Sequence, residues 1–287
     1  MIGQVLTNGL LLGGLYACVA AGFSLVWGVL NVINLLHGTL VVLGGYLAWM
    51  AWAFLGLHPL LALPFVALVV GLFGAGLQAG VLNRAVGAPV LVTLVVTFGL
   101  DLIVGNGLLL GFGADYRTIR PSFTLGTAQI AGIYVPLDRA AAASAALAMT
   151  GGLYLLLRRS WLGRAIVAVR MDRDAARLMG VMVSRAYIVT FALSAALAGA
   201  AGDLLGLVFP ISPLQSGDYL AISFTVCVLG GLGSVVGAAA GGLLLGLVES
   251  IAGLLLGPQN ASLASFVLLI ALLAFRPDGL FGRKGYA

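Results

Sequence analysis

Nine apolar segments punctuate the chain, at roughly 5–30, 38–57, 60–82, 90–112, 136–157, 186–209, 219–236, 237–256 and 261–275. A helix needs about 20 such residues to cross the hydrocarbon core of a bilayer. Each segment reads as a helix, because a backbone surrounded by lipid must satisfy its own hydrogen bonds. The pattern predicts an all-α integral membrane protein, a bundle of about nine transmembrane helices forming a single unit over 1–287. The opening MIGQVLTNGLLLGG has neither a basic leader region nor a small-residue cleavage site, so it reads as a retained first span with the mature chain starting near Met1.

Two segments carry signs of interruption. In GVLNVINLLHG (28–38), Asn31, Asn34 and His37 recur three apart and are expected to share one face of a helix. In VLGGLGSVVGAAAGG (228–242), the density of glycine at Gly230, Gly231, Gly233 and beyond argues against one rigid helix. A broken helix at membrane depth is tolerated only where it is buried in protein or lines a wet cavity, so both stretches are candidate elements of a pathway. A weak echo links 37–70 with 236–273, each a glycine-bearing span, a short Gly/Pro loop and another span, as in an internal repeat.

Composition removes other classes. With 62% hydrophobic and 8% charged residues, against about 25% charged in a soluble domain, no soluble domain is concealed in the chain. The 42 glycines suit helices whose backbones approach closely, as in GGLYACVAAG (13–22) and GAAAGGLLLG (237–246). Cys18 and Cys227 lack the paired spacing of a disulfide or zinc site and read as small core residues. No metal site is expected.

The charges then orient the bundle. Residues 158–185 hold seven of the 14 basic residues, in one loop between two spans, which the positive-inside tendency places in the cytoplasm. Nine crossings from an outer N-terminus also put Arg84 and the tail with Arg276, Arg283 and Lys284 inside, leaving Arg117, Arg120 and Arg139 outside. A re-entrant 219–236 would move the basic tail outside, so charge parity favours nine. The bases cluster at loop ends without interleaved aromatics, which fits contact with membrane lipid and not with nucleic acid.

Within the cytoplasmic loop, Asp172 is positioned to cap a short helix from Arg173 to Met179, which Gly180 ends in a left-handed conformation. Seven residues do not make a stable isolated helix. Its apolar face, Ala175, Ala176, Leu178 and Met179, must be held by its own protein and by a partner.

The run GRAIVAVRMDRDAARLMGV (163–181) resembles the cytoplasmic coupling segment of permeases in the branched-chain amino acid ABC importer family. NVINLLHG (31–38), VLGGLGSVVGAAAGGLLLGLVES (228–250) and FRPDGLFGR (275–283) match the same family in order, so the resemblance covers nearly the whole chain. It implies an inner-membrane permease subunit driven by two cytoplasmic ABC ATPases, paired with a second related permease as a heterodimer or homodimer, and supplied by a periplasmic or extracellular solute-binding protein. It also implies that Arg170, Asp172, Ala175, Ala176, Leu178 and Gly180 couple to the ATPases. Asn31, Asn34, His37, Gly230, Gly231 and Gly233 are the expected substrate pathway. Two departures remove charge: Thr39 stands where the family often has Glu, and Ile222 where it often has Lys. They extend the expected cargo from branched-chain amino acids to related small polar solutes such as urea or short amides.

ATP chemistry is expected elsewhere, since a phosphate-cradling loop needs G-x-x-x-x-G-K-[ST] and the only lysine is Lys284 in GRKGY. No cofactor is expected on this chain, ATP being bound by the partner subunits. A second class stays open, an ion-coupled secondary transporter built on Asp101, Asp203 or Glu249, because intramembrane acids are costly and often functional. The alternative for Asp101 and Asp203 is a place near a span end or a bond to a polar neighbour such as Asn106, and for Glu249 a structural or gating role. An intramembrane enzyme is excluded, since His37 and His58 are the only histidines and assemble no ligand set or nucleophile–base pair. His58 is expected at the membrane interface. In the outer loop 113–135, Asp115, Arg117 and Arg120 suit docking of a soluble binding protein, or else pair locally.

Overall fold

The computed structural model describes residues 2–121, 123–130, 132–275 and 279–280. The arrangement is an all-α membrane bundle. Helix α1 (Ile2–Leu30) is followed by α2 (His37–Leu55) and α3 (Pro59–Leu77), which continues through a π-turn at Gln78–Leu82 into α4 (Asn83–Ala85). Then come α5 (Val90–Phe112), a hairpin of β1 (Thr127–Ile130) and β2 (Ile133–Pro136), and α6 (Leu137–Arg159). Two short helices, α7 (Trp161–Met171) and α8 (Arg173–Leu178), lead into α9 (Val183–Val208). The chain closes with α10 (Ser216–Gly230), α11 (Val235–Leu256) and α12 (Ala261–Phe275).

All nine apolar segments are helical, but the expectation of nine full-length spans is corrected. Seven helical stretches among the described residues are long and apolar enough to cross a membrane. The other two, α10 and α12, have 15 residues each and rise only about 22 Å at 1.5 Å per residue, short of the roughly 30 Å hydrocarbon core. The expected span 219–236 ends at Gly230 because Gly231 and Gly233 take positive φ (95° and 80°), reversing the chain before α11. Apolarity marked the segment correctly; backbone conformation stopped the helix early. The basic tail that weighed in the parity argument lies outside the described residues, except for its neighbours Gly279 and Leu280.

Helices α1 and α9 form the centre. The first packs against α11, α9, α6 and α10, and α9 packs against α3 and α2. In lipid there is little hydrophobic drive for helices to pair, so close backbone approach through small residues supplies dispersion contacts. A Cβ placed on Gly13 would lie 2.7 Å from Leu243 Cα, and one on Gly242 would lie 2.5 Å from Ala17 N. The α2–α9 crossing is equally tight: a Cβ on Gly44 would meet the Gly199 backbone, and one on Gly202 would meet the Val41 carbonyl. By contrast α5 is mostly exposed, with Leu91, Ile103 and Leu110 each more than 70% accessible.

The two ends of the bundle are distinct. At one end, Gln4 on α1 donates to the Tyr134 carbonyl and accepts from its amide (2.8 and 2.9 Å), tying the first helix to the hairpin. The hairpin falls in the stretch 113–135 that the sequence presents as an outer loop, because its two four-residue strands are too short to show a period. At the other end Asn83 donates to Ser184 Oγ (2.8 Å), joining the foot of α3 to that of α9. The echo at 37–70 and 236–273 corresponds to two helical pairs, α2–α3 and α11–α12, each with a positive-φ glycine (Gly56, Gly257) after its first helix.

Helix α1 ends because Asn31 adopts φ 52°, the only positive φ among described non-glycine residues. Asparagine visits this region more readily than other side-chain-bearing residues. Residues 31–34 adopt no regular secondary structure and α2 restarts at His37. The expectation that Asn31, Asn34 and His37 share a helix face is therefore corrected.

Two stability predictions follow from these contacts. Gly202→Val should lower stability by about 1–3 kcal/mol through overpacking, whereas Gly76→Val, with open space around it, should leave the melting temperature in detergent nearly unchanged. Asn31→Gly should be tolerated and Asn31→Val should cost roughly 1–2 kcal/mol for forced left-handed backbone, read as a difference in thermal unfolding.

Candidate translocation pathway and coupling surface

The break after α1 is held from three sides. Thr97 on α5 donates to the Ile33 carbonyl (3.0 Å) and accepts from the Leu35 amide (3.4 Å), so backbone groups freed by the break find partners. The His37 amide donates to the Asn34 carbonyl at 3.2 Å. His37 Nε2 donates to the Val19 carbonyl at 2.9 Å, and the Phe23 ring meets the imidazole edge-on at 5.5 Å. That bond fixes the tautomer with Nδ1 unprotonated in neutral imidazole.

The contact with Val19 also sets depth. Val19 lies eleven residues before the end of α1, roughly 16 Å along its axis. Helix α2 therefore begins well inside the bundle. Its second residue, Gly38, packs directly on the Ser216 carbonyl, and a Cβ there would lie 3.0 Å from the Leu220 amide, so the N-termini of α2 and α10 abut. The chain reaches Ser216 from the outer end by a non-helical descent. Arg117 and Ile211 exchange backbone hydrogen bonds of 2.8 Å, and Ser212 donates to the Ala114 carbonyl (3.1 Å) and caps the turn Pro213–Gln215. Two crossings are thus each made of an irregular part and a helical part, with both helix N-termini, the positive ends of their dipoles, meeting in the interior.

Buried polar atoms lie without hydrogen-bond partners among the described residues: Ser24 Oγ, the Asn34 amide, His37 Nδ1, Ser194 Oγ and both carboxylate oxygens of Asp203. His37 and Ser194 converge, since a Cβ on Gly22 would lie 3.2 Å from His37 Cε1 and 3.4 Å from Ser194 Oγ. Of the three polar residues of the first motif, Asn34 and His37 are buried and Asn31 is exposed.

The glycines of the second motif sit elsewhere, in the turn between α10 and α11. Gly230 packs on the Gly237 backbone, and a Cβ on Gly233 would lie 3.0 Å from Gly28 Cα and 3.1 Å from Arg170 Nη2. Leu280 donates to the Leu229 carbonyl (2.9 Å) at the same turn. The rest of FRPDGLFGR, residues 276–278 and 281–283, lies outside the described residues. Arg170 thus lies beside the turn between α10 and α11.

That segment is more ordered than a loop. Ser160 caps α7 by accepting from the Gly163 amide (2.8 Å), and the helix buries Gly163, Ile166 and Val169 while exposing Trp161, Leu162 and Met171. Sequence reasoning missed α7, although its amphipathic spacing was available. Asp172 Oδ1 accepts from the amides of Asp174 and Ala175 (2.9 and 3.0 Å), and Gly180 takes φ 84°, as the motif predicted for α8. Ala176 is buried, whereas Leu178 and Met179 are 88% and 84% exposed.

The carboxylates are dispersed. Asp101 is half-buried and accepts from Thr39 Oγ1; its expected neighbour Asn106 bonds instead to the Leu102 carbonyl at 2.7 Å. Glu249 accepts from Tyr16 (2.7 Å) and Ser265 (3.0 Å). Asp203 is fully buried. Cys18 and Cys227 are buried free thiols, and no group of three metal-ligating side chains occurs among the described residues. His58 caps α3 between the apolar spans by accepting from the Leu60 amide (3.3 Å). Arg117 is engaged locally, its guanidinium 5.1 Å from the Trp49 ring centroid and donating to the Phe112 carbonyl (3.3 Å), while Arg120 is exposed.

Comparison with known proteins agrees with this architecture. A profile of the family described as "Branched-chain amino acid transport system / permease component" matches residues 5–275. The chain is 32% identical to the high-affinity branched-chain amino acid transport system permease protein BraD of Pseudomonas aeruginosa, covering 98% of this chain and 95% of BraD. It is 29% identical to the corresponding permease protein LivH of Escherichia coli K12 over 98% and 95% of the two chains. A more partial match, 31% identity over 64% of this chain and 56% of the relative, is to the L-arabinose transport system permease protein AraH of E. coli K12. No solved structure matches the chain. A multi-pass bundle with two interrupted crossings and a capped basic helix at its end, matched over nearly its whole length, belongs to the family of permease components of branched-chain amino acid transport systems.

Proposed function

We propose that this chain is the transmembrane subunit of an ABC importer in a bacterial inner (plasma) membrane, a single permease domain carrying branched-chain amino acids or a related small polar solute such as urea or a short amide. Two cytoplasmic ATPases drive it, a second permease completes the pore as a heterodimer or homodimer, and an external binding protein delivers the solute. The observation that carries this reading is α8. Six residues are too few to persist alone, yet the helix is capped at its start, terminated by Gly180 and seated on the bundle through Ala176 while Leu178 and Met179 point outward. An apolar pair displayed on a basic surface supports docking of a partner subunit.

Movement of the docked partner has a physical route inward. Helix α7 joins α8 through Asp172, and Arg170 of α7 lies next to the 231–234 turn, which packs on Gly28. That turn anchors α10, whose N-terminus abuts α2. Displacing α7 therefore bears on the junction of the two half-helices. Asn34, His37 and Ser194, polar and buried there without full partners, supply hydrogen-bonding groups to a solute that passes when the junction parts. Gly230, Gly231 and Gly233 act as the hinge of that motion, not as solute ligands. Alternating access further requires the solute to contact the two states differently.

Leu178→Glu should leave the protein inserted and folded while reducing ATP-driven solute uptake at least tenfold in proteoliposomes that contain the partner ATPases. Normal uptake with normal stimulation of hydrolysis would remove α8 from the coupling route. Asn34→Cys, probed with a small water-soluble thiol reagent, should react in one of the two ATPase states and be protected in the other. Protection in both states would take the 31–36 segment off the solute path.

A further inference from the structure

Helix α6 has 23 residues, about 34 Å at 1.5 Å per residue. It therefore crosses the roughly 30 Å hydrocarbon core once, and its last turn stands at the level of the lipid headgroups. The chain turns there without leaving that level. Ser160 Oγ donates to the Leu156 carbonyl (2.7 Å) and accepts from the Gly163 amide (2.8 Å), and the Arg164 amide donates to the Ser160 carbonyl (3.1 Å). Gly163 packs directly on the Leu156 carbonyl, and a Cβ there would lie 2.5 Å from Leu157 Cα, so α7 sets off beside the final turn of α6. Arg158, Arg159, Trp161, Leu162 and Arg164 thus gather around one elbow at the edge of the bilayer, all of them exposed.

The chemistry of this surface indicates what covers it. The side of α7 turned away from the bundle would be polar if it met water, yet it carries Trp161 at 71% exposure beside Leu162. Tryptophan collects at headgroup depth because its ring is apolar while its N–H seeks a polar partner. The arginines have no carboxylate neighbours along the chain, since no Asp or Glu occurs from Arg139 to Met171. An uncharged partner steadies Arg158, which donates to Tyr154 Oη (3.0 Å) with its guanidinium 6.0 Å from the ring centroid. Guanidinium groups beside apolar side chains at the end of a span are complementary to a phosphate standing above acyl chains. We propose that the elbow between α6 and α7 is a binding site for an anionic phospholipid, with Arg158, Arg159 and Arg164 meeting the headgroup and Trp161 and Leu162 lying among the upper acyl chains. The apolar pair Leu178 and Met179 is separated from the elbow by the whole of α7 and stays with the partner surface. Occupancy fixes the start of α7, the helix that carries displacement in the proposed coupling route; that consequence rests on the permease reading, and the site itself does not.

The test reconstitutes the full chain in phosphatidylcholine vesicles and titrates in either dibrominated phosphatidylglycerol or dibrominated phosphatidylcholine, whose bromines quench tryptophan on contact. Subtracting the emission of a Trp161→Phe variant isolates the signal of Trp161. Half of that signal should be lost at a phosphatidylglycerol fraction at least about threefold below the phosphatidylcholine fraction that does the same. Combining Arg158→Gln, Arg159→Gln and Arg164→Gln should bring the two fractions together and leave quenching by phosphatidylcholine unchanged, which also shows that the variant has inserted. Combining Arg177→Gln and Arg185→Gln, which removes charge from the same basic segment outside the elbow, should keep the preference. Equal fractions in the wild-type chain, or a preference that survives loss of the elbow arginines, would overturn the assignment. Loss of the preference in the Arg177 and Arg185 variant would overturn it too, reducing it to general attraction by the basic segment. Quenching of Trp161 by neither lipid would give this face to a protein partner and end the proposal. The readout needs no transport, so each of these failures leaves the permease reading standing.

Discussion

Everything in this bundle depends on how closely helix backbones approach one another. Apolar side chains gain little by leaving lipid for protein, so association must come from packing and from polar contacts. The α1–α11 and α2–α9 contacts meet that requirement with glycine against backbone, at Gly13 and Gly242 in one case and at Gly44, Gly199 and Gly202 in the other. These contacts hold α1 and α9 in the centre, and α1 and α9 in turn carry the groups that border the interior junction, Val19, Gly22 and Ser194. A larger side chain at any of these glycines would displace the elements that border that junction.

A second constraint acts within the first. Breaking a helix inside a membrane exposes amides and carbonyls with no water to meet them. Here the break after α1 is relieved by a threonine from α5 and by a turn leading to His37, which itself reaches back to α1. The break before α10 is relieved by the exchange between Arg117 and Ile211 and by Ser212. Because the repair uses side chains from neighbouring helices, movement of those neighbours changes the stability of the breaks. In the proposed mechanism, that coupling carries a displacement at α7 to groups deep in the bundle.

Polar placement also separates three roles that a sequence presents as one set of intramembrane charges and amides. Asp101 is engaged by Thr39, Glu249 borders an outer cavity with Arg139, and Asp203 is enclosed by the α9 core. They contact different neighbours and form no shared relay. The residues of the glycine-rich motif, likewise, belong to a turn near the basic segment and not to the buried cluster around His37.

The sequence by itself determined the membrane class, the location of every apolar helix and, to within one residue, the short capped helix at 173–178. Those features are written in local chemistry: runs of apolar residues, and an aspartate and a glycine at the right offsets. It also marked the break at Asn31 and the turn at 231–234, since asparagine and glycine leave helical conformation at low cost, but not the stretch without α-helix at 209–215 that precedes α10. Helix α7 was legible in its spacing and was overlooked. Only the tertiary structure decided that α2 restarts deep in the bundle, that α10 is a half-helix whose N-terminus meets it, and that Arg139 and Glu249 line one cavity though 110 residues separate them. Periodicity reports which residues leave water; it carries no information on depth or on which distant helix supplies the partner. Those are set by glycine contacts and hydrogen bonds between segments remote in sequence, and they exist only once the bundle has closed.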